Sequence, residues 1–509
     1  MSVKKEYGDF QTPRALARCV AALLCEDKPH FCAVIEPTCG VGALLEAAAE
    51  RFGRSPEYWG FDVNPSYVNE TRTALARIGA LKATIEERDF YANNWKQFLS
   101  DQTEPILVIG NPPWITNAGM SVINGNNLPE KNNAQGHNGL DAMTGKANFD
   151  ISEWMLIRLI EALDGHDATL AMLIKTVVAR KVLRHAWTQR IRVVESQIFH
   201  IDAMANFGAA VGASLLVMKF GRLAGPPRAA VYGQLSKAIP QIATLGFANG
   251  DLVPDLAAFE ATKHLAGTGP VKWRSGVKHD CASVMELDRE GGRYRNRLEE
   301  SVEIEPDYVF PMLKTSEVAN GKSRQCTRYM LVPQRRLSDD TAELERRAPQ
   351  TWRYLCAHRE TFARRGSSIY RGKPSFSVFG VGDYTFAPWK IAISGMYKSL
   401  RFLKVGPRDG KPVVFDDVTN FLPCPSEDAA DLVMELLNAP SAHMFFRGRV
   451  FWDAKRPITV ELLNRLNLTE LAKEAGRSEQ FSTYFPPSLQ DRKRKRQHER
   501  VPHEAPMLW

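Results

Sequence analysis

The sequence predicts an α/β protein: a doubly wound, parallel sheet followed by a mixed α+β domain. Three observations predict it. Between residues 31 and 110, short apolar runs alternate with segments of helical period, as repeated strand-helix units require. A glycine turn, Glu36 to Gly42, stands at the first strand-helix junction. From about residue 223 the texture changes: GRLAGPPRAA is linker-like, and later strands carry Arg, Lys and aromatic residues.

The elements follow in order. FCAVIEP reads as a buried strand and ALLEAAAERF as the helix after it. YWGFDVN is a second strand, followed by the helix VNETRTALARIG; ATIEERDF is a third strand and PILVIG a fourth. ATLAMLIKTVV and GASLLVMKF are apolar enough for central strands, with a basic helix between them around Leu183 to Arg192. This first domain spans 1–222. Within it, Ile115 to Ala147 is polar, rich in Asn and Gly, and aperiodic. Loops longer than ~12–15 residues are usually functional or disordered. A second domain is expected over 236–425, a helical segment over 426–484, and a basic, flexible tail over 485–509.

With 509 residues and 44% hydrophobic content, the chain supports two or three domains, at roughly 100–200 residues each. No stretch approaches the roughly 20 apolar residues of a membrane helix. MSVKKEYGDFQTP lacks the apolar core of a secretion signal. A soluble, cytoplasmic protein with no membrane partner is expected. The eight cysteines are scattered, without a CxxC pair or a nearby His at ligand spacing, which predicts reduced thiols and no metal. The net charge of +8 suits a polyanionic partner. Five of those charges lie in the run Arg492 to Arg496, leaving 8 − 5 = +3 for the rest, so the distribution has to decide.

Two constellations carry chemistry. In the first, Glu36-Pro37-Thr38-Cys39-Gly40-Val41-Gly42 lets the backbone approach a ligand at the carboxyl end of the sheet. Asp62 and Asp89 then fall at the ends of the next two strands, where one carboxylate suits ribose hydroxyls and the other an adenine amino group. Either alone reads equally well as a helix cap. Thr12-Pro13 opens an N-terminal helix that suits closure over the far end of such a cofactor, or is a simple N-cap with proline at the first position.

In the second, Asn111-Pro112-Pro113-Trp114 follows the strand ILVIG. An aromatic amine is a poor nucleophile because its lone pair is delocalised into the ring. An Asn side-chain oxygen and the next backbone carbonyl both accept from the amino protons, which localises that pair. The prolines stiffen the geometry, and Trp114 suits stacking on a base taken out of the helix. Direct displacement needs alignment and no covalent intermediate, so Cys39 is read as packing.

Together these residues resemble the gamma-class amino-methyltransferases, the N6-adenine DNA methylases of restriction-modification systems. The match runs in the family's order: QTP, EPTCGVG, Asp62, the Asp89-Phe90 pair and NPPW, with Trp114 an aromatic variant of the usual Tyr. The resemblance implies a Rossmann-like methyltransferase sheet, S-adenosylmethionine as methyl donor, and a C-terminal target-recognition domain on double-stranded DNA. It implies a second aromatic facing the flipped adenine, matched here by Phe207, and an aromatic near the start of NFDISEWMLIRLIEAL beside the cofactor adenine, matched by Phe149. YTFAPWKIAISG looks like a target-recognition segment. Around it, residues 362–405 interleave aromatics with Arg364, Arg365, Arg371, Lys373, Lys390, Lys398 and Arg401, read as DNA contacts on alternating strands. A separately encoded restriction endonuclease is the expected partner, since no PD…ExK cluster stands out. RNA adenines, a protein glutamine, or a silent DNA-binding module are the competing readings.

Overall fold

The computed structural model describes residues 10–27, 30–80, 82–115, 150–248, 250–322 and 327–486. The chain divides into two units, Met1–Ala257 and Ala258–Trp509. Phe149, the segment from 116 onward to it, and the Arg492 to Arg496 run lie outside the described residues.

In the first unit α1 (Arg14–Cys25) precedes β1 (Ala33–Glu36), α2 (Ala43–Phe52), β2 (Glu57–Asp62), α3 (Pro65–Arg77) and β3 (Ala83–Glu87). Then come α4 (Trp95–Ser100), β4 (Ile106–Gly110), α5 (Ile151–Ala162), β5 (Ala168–Lys175), α6 (Thr176–Thr188), β6 (Val193–Ile201), α7 (Ala203–Phe207) and β7 (Ala213–Phe220). β1 and β4 are buried along their whole length, as strands covered on both faces must be, which is why they read as unbroken apolar runs. Leu16, Ala17, Val20 and Leu24 of α1 join Leu44, Leu45 and Ala48 of α2 in the core over one face of the sheet.

With β8 (Arg228–Tyr232), β9 (Ala243–Ala248) and β10 (Asp251–Val253), the sheet has ten strands among the described residues, in the order β10-β9-β8-β6-β7-β5-β4-β1-β2-β3. β3, β2, β1, β4 and β5 are mutually parallel, and β7 runs antiparallel between β5 and β6. Chain order reverses between β1 and β4: β2 and β3 build outward on one side, β5 on the other. In such sheets a crevice opens beyond the carboxyl ends of the two strands at the reversal. The glycine turn leaves β1 there and Asn111 leaves β4.

Two differences from the sequence reading have physical causes. β6 was not legible, because Glu195, Gln197 and His200 break its apolar run; four consecutive residues, Ser196 to Phe199, are nevertheless buried. The first unit also continues past 222. β8 (Arg228–Tyr232), β9 (Ala243–Ala248) and β10 (Asp251–Val253) extend its sheet, with Ala229, Val231, Leu245 and Val253 turned inward. The linker-like stretch GRLAGPPRAA is therefore the turn that leads into β8.

The second unit holds a four-stranded sheet and a six-stranded one. Their strands are β11 (Arg274–Ser275), β12 (Glu286–Glu290), β13 (Arg293–Asn296), β14 (Ser301–Val302), β15 (Val309–Leu313), β16 (Arg328–Leu331), β17 (Trp389–Ser394), β18 (Leu403–Val405), β19 (Val414–Phe415) and β20 (Thr419–Cys424). The orders are β11-β20-β17-β18 and β14-β13-β12-β16-β15-β19. The helices of 426–484 are part of this unit's core: Leu432, Val433, Leu436, Phe445, Phe446 and Phe481 pack with Ile391, Ile393 and Leu422 of the smaller sheet. Residues 362–405, expected as alternating strands, are mostly short helical turns and loops before β17. Gly366, Gly372, Pro374, Gly380 and Gly382 punctuate the stretch, and Gly372 and Gly380 take φ of 68° and 71°.

Candidate active site

The glycine turn is built by carboxylates. Gly40 and Gly42 take φ of 50° and 78°, the left-handed region that a side chain disfavours. Gly40 N donates to Asp62 Oδ2 at 2.9 Å, and Asn64 N donates to Oδ1 at 2.9 Å. Asp62 thus ties the turn after β1 to the end of β2. Leu45 N at the head of α2 donates to Glu36 Oε2 at 3.3 Å. Burial pushes the Glu36 carboxyl well above the usual carboxylate range, and the charge on Asp62 adds to the effect. Thr71 Oγ1 donates to Gly40 O at 2.9 Å, while Cys39 is buried beneath the turn with its thiol pushed up by burial. Pro37 and Thr38 complete the loop between Glu36 and Cys39, Pro37 buried and Thr38 half-buried.

Asp89 stands beyond β3 and accepts from Tyr91 N at 2.9 Å, so it caps the turn Phe90–Ala92. Phe90 is buried against Trp95, with ring centroids 4.9 Å apart, and meets Trp154 of α5 at 6.3 Å. Tyr91 stacks obliquely on Trp154 at 5.1 Å.

The N-terminal strap joins the two constellations. Pro13, not Thr12, is the N-cap of α1, and it makes no side-chain cap bond. Thr12 instead turns its hydroxyl to the turn after β4: Asn111 Nδ2 donates to Thr12 Oγ1 at 3.2 Å and to Phe10 O at 2.8 Å. Gln11, between them, accepts from Val41 N at 3.1 Å with its side-chain oxygen. A main-chain carbonyl only accepts, so the Phe10 bond forces the nitrogen of the Asn111 amide toward the strap. The oxygen must face the other way. Asn111 Oδ1 is buried there and has no hydrogen-bond partner among the described residues. Leaving such an acceptor unsatisfied costs on the order of 1–3 kcal/mol, a cost that functional sites carry more often than scaffolds do.

Pro112 is buried and Pro113 half-buried. Trp114 is buried too, its indole donating to Leu173 O at 3.2 Å. Its ring meets Phe207 at 5.0 Å and 63°, and Phe10 at 5.8 Å. The expected aromatic pair is therefore brought together, edge to face, with no base-wide gap between the rings. Sequence reasoning missed Phe10, Lys175 and Asp150 at this turn and gave Gln11 no role, because their contacts are long-range or main-chain and no local motif announces them.

Of the seven basic residues expected as DNA contacts, Arg364, Arg371, Lys373, Lys398 and Arg401 are exposed. Arg365 and Lys390 are corrected to structural roles. Arg365 Nη1 donates to Ser377 O at 2.7 Å, and its guanidinium lies 3.7 Å from the centre of the Tyr370 ring. Lys390 is 1% exposed, its ammonium donating to Ala387 O at 2.7 Å and Val413 O at 2.9 Å. The alternation that would have turned Lys390 outward fails because β17 is covered on both faces. Burial lowers its pKa to about 7. The sign follows: between that value and the ordinary lysine value the unfolded chain binds more protons, so this group makes stability rise with pH across that window. Lys390→Met is expected to flatten the rise, with DNA affinity unchanged; thermal unfolding from pH 7 to 10 checks it.

Among the described residues no helix is long and apolar enough to cross a membrane, and no group of three or more His, Cys, Asp or Glu is arranged to hold a metal. The N-6 DNA Methylase family matches residues 1–164. The chain is 42% identical over 471 residues to the type II methyltransferase M.NspV of Nostoc sp. (strain ATCC 29411 / PCC 7524), covering 92% of this chain and 98% of that one. It is 28% identical over 116 residues to the type II methyltransferase M.VspI of Vibrio sp. (strain 343), covering 22% and 27% of the two. Among solved structures, the type IIL restriction-modification enzyme MmeI in complex with DNA aligns at a TM-score of 0.48 and 11% identity, over 89% of this chain and 64% of that chain. With so high an identity along nearly all of both sequences, the chain belongs to the N-6 DNA methylase family, among the type II DNA methyltransferases of restriction-modification systems.

Proposed function

We propose that the protein transfers a methyl group from S-adenosylmethionine to the 6-amino group of adenine within one short sequence of double-stranded DNA, in the cytoplasm. In this reading it protects that sequence from a separately encoded endonuclease. The single observation that carries the reading is the buried Oδ1 of Asn111, which has no partner among the described residues and is aimed by two donations from its own amide nitrogen. It is an acceptor in want of a donor, and an adenine amino group is a donor in want of activation.

The residues present fit the methyl donor. Glycines at positive φ leave the turn open to close approach, Asp62 presents a carboxylate anchored at both oxygens, and Asp89 stands at the next strand end. Asp62 would hold the ribose, the Asp89–Phe90 turn the adenine, and Thr12-Pro13 the methionine end. When bound, the donor supplies a sulfonium methyl. Oδ1 of Asn111 and the Pro112 carbonyl accept the two amino protons, which drives the nitrogen lone pair out of the ring system. The same two acceptors would share the positive charge that develops on the amino nitrogen until a proton leaves for water. Entry of the base requires Phe207 to swing from the Trp114 edge so that the two rings face it.

Exposed Arg364, Arg371, Lys373, Lys398 and Arg401 suit phosphate contacts. Labelled-methyl transfer to DNA, RNA and protein in parallel, followed by long-read sequencing of the DNA, tests the assignment. The expected result is N6-methyladenine in one motif; label in RNA or protein alone, or on cytosine, would overturn it.

A further inference from the structure

Lys175 ends β5, and none of the chemistry so far uses it. Its ammonium donates to Trp114 O at 2.9 Å and to Asp150 Oδ2 at 2.6 Å. One strand therefore grips Trp114 twice: Leu173 O takes the indole N–H, and Lys175 takes the carbonyl. Asp150 uses its other oxygen to accept from Ser152 N at 3.2 Å, capping α5. Beside this pair Ile151 N donates to Ile115 O at 3.0 Å. The residues that leave the catalytic turn and those that begin α5 are thus joined by a main-chain bond and by one cation.

A strand end exposed to water does not require this. The side chains of Lys175 and Asp150 are only 21% and 9% exposed. Holding an ammonium half-buried beside a buried carboxylate is costly unless it is paired and hydrogen-bonded, and a neutral residue would close a strand end at no such cost. What the cation supplies is direction. It pulls the carbonyl end of Asn111-Pro112-Pro113-Trp114 toward β5 while the strap residues Phe10 and Thr12 hold the Asn111 end. The tetrapeptide is fixed at both ends, and its two acceptors lie between. Charge explains the pairing with Asp150. The amino nitrogen becomes positive during transfer, so an unneutralised ammonium on the same turn would oppose the reaction; with Asp150 the clamp is neutral overall.

We propose that Lys175, neutralised by Asp150, is a positioning residue for methyl transfer: it sets the carbonyl end of the catalytic turn and leaves the cofactor loop untouched. The inference rests on the reading of Asn111 as the activating acceptor. Lys175→Met alone strands a buried carboxylate and is expected to destabilise the fold. The decisive variant is therefore the double one, Lys175→Met with Asp150→Asn, which removes both charges and keeps an N-cap at α5. A displacement of about 1 Å costs roughly 10²-fold. The double variant is expected to melt near the intact protein, to bind S-adenosylhomocysteine within about twofold of it, and to transfer methyl about 10–100-fold more slowly in a single turnover. A near-normal single-turnover rate would overturn the proposal, because a clamp that only stabilises is dispensable once the charges are gone. Loss of cofactor binding in step with the rate would also overturn it. The comparison is made on whichever acceptor the intact protein methylates, so an error in the adenine assignment shows in the wild type and is separate from failure of the clamp.

Discussion

Asn111→Ala is expected to lower the single-turnover rate of methyl transfer by roughly 10²–10³, with affinity for S-adenosylhomocysteine close to that of the intact protein. The substitution deletes a buried acceptor that has no partner among the described residues, so folding loses little: the stranded oxygen goes, together with two donations to the strap. Removing both the orphan and its partners' bonds is a near-balanced exchange, about 1 kcal/mol in either direction. In the proposed mechanism the rate loses the oxygen that localises the amino lone pair. Asn111→Asp sharpens the test, because it keeps an acceptor at Oδ1 and places a second carboxylate oxygen against Phe10 O. Two facing acceptors repel, so that side chain turns or protonates, and its rate is expected to fall nearly as far. Quenched-flow measurement of the first turnover, with melting curves alongside, checks both. A rate for the alanine variant within tenfold of the intact protein would mean that another group activates the amine.

Legibility differed between parts of this chain for a physical reason. Strands buried on both faces announce themselves as apolar runs, so β1, β4, β5 and β7 were readable within a few residues. The turns after β1 and β4 were readable because they use particular residues: glycine where φ is positive, and, in the proposed mechanism, asparagine where an acceptor must be neutral. β6 was hidden by Glu195, Gln197 and His200, and β8 by the proline-rich stretch before it. Within the site, the strap was visible as QTP, but its bonds to Val41 and Asn111 reach 30 and 99 residues further along the chain. Lys390 is the instructive failure. A lysine between aromatics reads as a phosphate contact, yet it satisfies two buried carbonyls. Composition reports what a side chain is able to bind, and only the register of the sheet decides whether water or a carbonyl reaches it.

Asp62→Ala is expected to weaken binding of S-adenosylmethionine and of S-adenosylhomocysteine by roughly 10–100-fold, since hydrogen bonds to a charged group contribute about 1.5–3 kcal/mol. Two losses combine. A hydroxyl pair on the ligand loses its acceptor, and the N–H groups of Gly40 and Asn64 lose the oxygens that hold the turn in its left-handed shape. Asp62→Asn is expected to fall between: the amide keeps one acceptor and sets its NH2 against a backbone N–H. Glu36 moves the opposite way. Its carboxyl is held up first by burial and then by the charge on Asp62, so the alanine variant lowers that pKa and eases ionisation within the turn. A carboxyl raised in the fold costs stability as pH climbs from its unfolded to its folded value, and the Asp62→Ala chain is expected to show a narrower window of that loss. The kinetic signature separates this residue from Asn111. Saturating methyl donor is expected to recover most of the single-turnover rate in Asp62→Ala and none of it in Asn111→Ala, because one substitution removes a handle on the donor and the other removes the acceptor that makes the amine attack. A rate in Asp62→Ala that stays depressed at every donor concentration would move Asp62 from holding the ligand to shaping the reacting centre.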